Sequence, residues 1–246
     1  MSWVYLSPHF DDVALSCGGL VWEQAQAGNQ VSLWTLCAGE PAPGELSPFA
    51  QMLHARWEAG VNAPVRRKQE DILSCQILGA SYRHFTLPDC IYRRAPITGE
   101  FMYASEASLT GPLHPGDATL IQDLRQEFGR LLPPGVTLVC PLALGNHVDH
   151  QLTCLAVEST NFKVNYYADF PYIQGHKDQL SRLEAAGWSS QIFPISSAGL
   201  HAWQDSIAAH ASQISTFWTG EAEMMQAIEN YWLESGGIHF WVNPAG

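Results

Sequence analysis

Two apolar runs of this chain each break off into a short cluster of acids and imidazoles. Trp3-Val4-Tyr5-Leu6 runs into Ser7-Pro8-His9-Phe10-Asp11-Asp12. About 140 residues later, Val136-Thr137-Leu138-Val139-Cys140-Pro141-Leu142 runs into Gly145-Asn146-His147-Val148-Asp149-His150. Apolar runs this short, bounded by turn residues, read as buried strands. A helical pattern follows each cluster, so the chain must place a strand, a functional turn and a helix together twice.

The remaining sequence keeps that alternation. Strands are expected over 3–8, 30–37, 83–87, 136–143, 163–170, 191–195 and 239–242. Helices are expected over 14–28, 50–60, 66–78, 117–132, 149–160, 176–186, 199–218 and 221–234. Gly18 and Gly19 permit close packing early in the first helix, and Gly28-Asn29 ends it. Residues 88–115, rich in Pro, Gly and polar side chains, read as a long loop of the kind that often carries function. The order predicts an α/β fold with a mostly parallel sheet and helices on both faces. Without an internal repeat, charge run or linker, residues 1–246 read as a single domain. In such sheets the ligand crevice lies at the C-terminal ends of the strands, where both clusters sit.

Composition narrows the partners. Apolar residues make up 46% and charged residues 15%, enough for a substantial core, and the formal net charge is −12. A nucleic-acid or anionic-membrane partner would want a basic face, so neither is expected. Met1-Ser2-Trp3-Val4-Tyr5 lacks the basic start of a signal peptide, and no apolar run approaches the ~20 residues of a membrane span. The six cysteines, Cys17, Cys37, Cys75, Cys90, Cys140 and Cys154, show no CxxC spacing. They read as buried free thiols of a cytoplasmic protein.

The clusters supply three imidazoles and three carboxylates. His9 and Asp12, three residues apart on a turn entering a helix, reach a common ion. Asp11 between them points into the same cavity and suits a general base. One imidazole of His147 and His150 completes a His-Asp-His set. The other faces the reacting group as acid or oxyanion stabiliser, with Asp149 to orient an imidazole and Asn146 as a further donor.

These residues resemble the LmbE-like, or PIG-L, family of zinc-dependent N-deacetylases. Ser7-Pro8-His9-Phe10-Asp11-Asp12 through Cys17-Gly18-Gly19 is similar to its first motif, A-H-P-D-D-E-x-L-G-C-G-G. His147-Val148-Asp149-His150 is similar to its second, H-P-D-H. Arg67-Lys68-Gln69-Glu70 and Phe85-Thr86-Leu87-Pro88-Asp89 resemble its R-x-x-E helix and L-x-L-x-D segment. The likeness covers about residues 3–170. Phe10, Val13, Ser16 and Val148 depart from the motifs, which bears on the subfamily more than on the chemistry.

The resemblance implies a Rossmann-like fold and roles for single residues. His9, Asp12 and His150 would hold Zn2+, with Fe2+ or another divalent ion as alternatives. Asp11 would be the general base, His147 the oxyanion stabiliser or acid, and Asp149 its orienting partner. Asp89 and Arg67 are expected at the substrate. Arg67 and Glu70 are read either as a pair near the site or as a plain contact on the helix surface. The implied substrate is a small glycoside or glycoconjugate carrying an N-acetylglucosamine-type group, and the chain is compatible with a homo-oligomer. Hydrolysis of a thiol-conjugate or longer N-acyl amide uses the same site. Two further readings come from other classes. One is a catalytically inactive sugar-binding relative. The other is an Fe(II) oxygenase using His9-x-Asp11 and a distal His, a chemistry expected in a β-sandwich. Tyr167, Asp169 and Tyr172 are candidates to line the crevice. The aromatic C-terminal part (Trp203, Phe217, Trp218, Trp232, Trp241) reads mainly as core, and His54, His84, His114, His176, His201, His210 and His239 receive no role.

Overall fold

Seven strands form one sheet in the computed structural model, which describes residues 1–244 apart from 59, 159 and 161 and the side chain of residue 61. In chain order the elements are β1 (Ser2–Ser7), α1 (Asp12–Gln26), β2 (Gln30–Thr35), α2 (Pro48–Arg56), α3 (Ala63–Leu78) and β3 (Ser81–His84). Next come α4 (Glu106–Leu109), α5 (Ala118–Leu131), β4 (Thr137–Pro141), α6 (Val148–Val157), β5 (Val164–Tyr167) and α7 (Lys177–Ala185). The chain closes with β6 (Ser189–Phe193), α8 (Ser197–Ala208), α9 (Ala211–Phe217), α10 (Glu221–Ser235) and β7 (Ile238–Val242). Of the helices expected over 50–60 and 149–160, residues 59 and 159 lie outside the described residues.

The sheet order is β3-β2-β1-β4-β5-β7-β6. The first five strands are parallel; β7 runs antiparallel to both β5 and β6. Trp3 of β1 pairs with Val31 of β2 on one side and Thr137 of β4 on the other. Successive connections therefore leave β1 in opposite directions. The crevice opens where the order reverses, between the C-terminal ends of β1 and β4.

Alternation along the strands fills both faces. Tyr5, Leu33, Val139, Tyr167 and Phe240 point to one core, with Val13 and Leu20 of α1, Leu78 of α3, Trp203 of α8 and Ile228 of α10. Val4, Leu6, Trp34, Leu138, Cys140 and Trp241 point to the other, with Leu124 and Phe128 of α5 and Leu152 and Ala156 of α6. Side chains one residue apart on a strand face opposite ways, so strands covered on both sides read as continuous apolar runs.

Gly18 and Gly19 have a packing role. A Cβ on Gly18 would lie 2.6 Å from the Trp203 ring, and one on Gly19 would lie 3.2 Å from it. The indole closes onto α1 through Nε1, which donates to the Ala14 carbonyl at 2.8 Å. The cysteines are free thiols, all buried except the half-buried Cys154. No described helix is long and apolar enough to cross a membrane.

Three expectations need correction. The helix expected over 199–218 is two helices, α8 and α9, that break at His210. Glu70 of α3 holds the start of the second, accepting from the Ser212 amide at 3.1 Å and its hydroxyl at 2.6 Å. The third strand starts two residues before its expected position. The long loop is also structured: it holds a turn at Cys90–Tyr92, an Arg94–Phe101 bridge and α4.

Candidate active site

The ends of β1 and β4 meet at a cavity of about 400 Å3 whose lining includes His9, Asp11, Asp12, Arg67, Asp89 and His147. The His9–Asp12 turn leaves β1 and enters α1. Its Ser7 hydroxyl donates to the His9 carbonyl and accepts the Val13 amide, and the His9 amide donates to Asp12 Oδ2 at 2.7 Å. The second cluster opens α6, where His147 is the N-cap residue and its Nδ1 accepts the Asp149 amide at 3.3 Å.

Asp12 lies between two imidazoles. His9 Nδ1 is 3.2 Å from its Oδ2, and His150 Nε2 is 3.3 Å from its Oδ1. Each ring turns its other nitrogen to a buried carboxylate: His9 Nε2 to Asp149 Oδ2 at 3.0 Å, and His150 Nδ1 to Asp169 Oδ1 at 2.6 Å. One ring nitrogen from each of His9, His147 and His150 lies within 4.8 Å of the other two, a grouping that includes His147 and not Asp12. Bonds of about 2.0–2.1 Å to Zn2+ put tetrahedral donors about 3.3 Å apart. Metal-ligating imidazoles commonly donate their second N–H to a carboxylate. The donor types, the 3.2 and 3.3 Å separations of Asp12 from the two imidazoles and these outer carboxylates fit a divalent cation.

Charge is divided sharply within this cluster. Burial disfavours a charged His9, but Asp89, Asp12 and Asp149 outweigh it and push His9 up to about 10. His150 rises in the same way, against burial, through Asp12 and Asp169. Asp12 and Asp149 sit well below the usual carboxylate range despite burial, through His150 and His9 for Asp12 and through Arg93 and His9 for Asp149. Burial dominates at Asp169, whose pKa is raised. His147 goes the other way, to about 3, through burial and the neighbouring His9 and His150 charges. With Nδ1 accepting from a backbone amide, neutral His147 carries its proton on Nε2.

Asp11 keeps out of this set. Its Oδ1 accepts from Arg67 Nη2 at 3.2 Å, and Arg67 Nη1 lies 3.6 Å from Asp89 Oδ2. The buried guanidinium lies 4.7 Å above the Trp57 ring and 5.6 Å from that of Phe10. Asp89 also caps the turn after β3, accepting the Ile91 amide at 3.2 Å.

Three expected placements differ. The Asp149 carboxylate lies within 4.8 Å of a His147 ring nitrogen, but its short contacts are to His9 and Arg93, and its hydrogen bond to the His147 ring comes from its backbone amide. Arg67 and Glu70 do not pair: three residues apart on α3, they point to Asp11 and to Ser212. Asn146 is an exposed residue with φ +59° outside the cavity lining, so it offers no donor there.

Two residues that the sequence did not mark as supports hold the site from behind. Asp169, read only as a crevice candidate, supports His150 and accepts the Leu144 amide at 2.9 Å, tying down the turn that carries His147. Arg93 is almost fully buried, 2.6 Å from Asp149 Oδ1 and 3.1 Å from Asp117 Oδ2. Tyr103 lies under its guanidinium at 5.3 Å and donates its hydroxyl to Asp117 at 2.7 Å. The long loop is thereby bolted to Asp149, the carboxylate behind His9. An arginine in a polar loop gives no sequence signal for this.

The rest of the cavity is built by elements far apart in sequence. Leu53 and Trp57 come from α2 and its end, Leu109 from α4, Thr216 and Phe217 from α9. Tyr172 and His176 come from the turn after β5.

Comparisons with known proteins agree with this geometry. The family model described as PIG-L, GlcNAc-PI de-N-acetylase, matches residues 4–161. The 2'-N-acetylparomamine deacetylase of Niallia circulans is 26% identical, over 98% of this chain and 93% of its own length. The zinc-inhibited form of teicoplanin deacetylase Orf2 superposes with a TM-score of 0.80 at 22% identity, covering 98% of this chain and 97% of the other. The A40926 pseudoaglycone deacetylase Dbv21 gives 0.71 at 25% identity, over 98% and 96%. With the match spanning both clusters and most of the parallel sheet, the chain belongs to the PIG-L family of de-N-acetylases.

Proposed function

We infer that this protein is a metal-dependent hydrolase that removes the acetyl group from the N-acetyl amide of a glucosamine-type sugar in a small glycoside or glycoconjugate. One observation carries the reading: His9 and Asp12 line a cavity together with Asp11 and His147, and buried His150 meets Asp12 from behind at 3.3 Å. The deacetylases it resembles support it, one named for 2'-N-acetylparomamine and one for the A40926 pseudoaglycone.

His9 Nδ1, Asp12 and His150 Nε2 would hold the ion, with Asp149 and Asp169 fixing the two rings. A zinc-type ion bound there supplies Lewis acidity and brings the pKa of a coordinated water towards ~7. Asp11 takes the proton from the attacking water. Arg67 engages only its Oδ1, which fixes the carboxylate without removing its capacity to accept. Neutral His147 points Nε2–H at the developing oxyanion, and one such donor is worth roughly 3–4 kcal/mol. Asp11 then returns its proton to the departing amine, leaving acetate and the free amino sugar. Asp89 and Arg67 bound the floor where sugar hydroxyls would bind.

The test is acetate release by zinc-loaded protein from N-acetylglucosamine glycosides and longer N-acyl analogues, with Asp11→Asn as control. Release should fall about 10²–10⁴-fold in the variant at unchanged zinc content. No release from any member by wild type overturns the reading. Equal release by both proteins removes Asp11 from its role.

A further inference from the structure

His176 received no role from the sequence because it has no neighbour at motif spacing. The fold brings it to the cavity, at the end of the turn that follows β5. Its Nδ1 lies 3.3 Å from the amide nitrogen of Gln179. An amide NH2 group only donates, so Nδ1 accepts and the imidazole proton is on Nε2.

The Nε2 edge lies along the turn that carries His147. A Cβ on Gly145 would sit 3.4 Å from His176 Nε2 and 3.4 Å from a Tyr172 ring carbon, and Gly145 adopts φ +82°. Any side chain there would be strained and would fill the space between the two rings. Glycine leaves that space to the cavity. Among the described residues Nε2 has no hydrogen-bond partner, and no carboxylate pairs with the ring. His176 is thus arranged as a fixed hydrogen-bond donor rather than a proton relay.

We propose that His176, held by Gln179 and exposed by Gly145, is a substrate-binding residue whose Nε2–H donates to a hydroxyl or ether oxygen of the glycoside beyond the scissile amide. The assignment rests on the N-deacetylase reading. It gives the cavity a second polar wall, remote in sequence from Asp89 and Arg67. A sugar bound in the cavity would then meet polar groups from both parts of the chain, His176 as well as Asp89 and Arg67.

The test compares wild type, His176→Phe and His176→Gln as zinc-loaded full chains. Acetate release is followed from N-acetylglucosamine glycosides, and Kd for the same glycosides is measured by calorimetry. His176→Phe should raise KM and Kd about three- to tenfold, the worth of one hydrogen bond, with kcat within about twofold. His176→Gln, which keeps a donor, should recover most of the loss. Unchanged KM and Kd in His176→Phe overturns the assignment. So does a fall in kcat accompanied by zinc loss, because His176 would then act through the His147 turn. If wild type binds the glycosides without releasing acetate, the deacetylase reading falls and the Kd ratio alone decides the role of His176. If wild type binds none of them, both fall.

Discussion

Residues 3–170 and residues 171–242 build one cavity by different physics. The first part supplies every acid and imidazole of the proposed metal centre, on turns at the ends of neighbouring parallel strands. Its functional groups are fixed by charge-assisted hydrogen bonds, such as His150 to Asp169 at 2.6 Å and His9 to Asp149 at 3.0 Å. The second part supplies none of the proposed ligands. It contributes bulk: Trp203 against the glycine pair of α1, Ile228 beneath the sheet, and Phe217, Tyr172 and His176 around the opening. The contrast separates holding an ion from holding the fold and the substrate, and substitutions should divide along the same line.

The largest expected effect is on the fold. Trp203 is fully buried, and Trp203→Ala should cost about 3–5 kcal/mol of stability in urea unfolding. Zinc affinity of the remaining folded protein should stay near wild type. An equal loss of zinc affinity would break the division.

Asp169→Asn comes next and should reverse the pattern. Its stability loss should be the smaller effect, while zinc affinity, read by competition with a chelator, falls about 10–100-fold because His150 loses its charged support. Unchanged affinity would mean that the His150 ring is set by packing alone.

The smallest effect is expected at the opening. Phe217→Ala trims a half-buried ring that meets Tyr172 edge-on at 5.8 Å. KM for a glycoside should rise roughly two- to fivefold, from about 0.5–1 kcal/mol of lost apolar contact. Zinc affinity and kcat should not move. A change in kcat would sharpen the comparison by showing that the C-terminal wall also aligns the reacting amide.

Much of the fold was legible because it depends on local pattern. The strands ending at each cluster, the helices that follow and the glycines that admit Trp203 are set by short-range periodicity and by the absence of a side chain. The antiparallel course of β7 was not legible, since an apolar strand reads alike in either direction. The single helix expected over 199–218 failed for a related reason. Nothing near His210 forbids helix, and the break is accompanied by capping from Glu70, 142 residues from Ser212.

The site divides in the same way. The convergence of His9, Asp11 and Asp12 with His147, Asp149 and His150 could be read from two motifs at strand ends. The partner of each side chain could not. Asp149 sits next to His150 and two residues from His147, yet its carboxylate makes its short contacts to His9 and Arg93, residues brought to it from other elements.

By itself, then, the sequence determined the alternating α/β order, the two clusters and the residue types able to hold a cation and move a proton. Those are properties of neighbouring residues. Only the tertiary structure decided that Asp149 and Asp169 would aim the two imidazoles, that Arg93 would neutralise the buried acids behind them, and that His176 would reach the cavity. Each of these depends on charges brought within hydrogen-bond distance by strand order, and local sequence does not encode that distance.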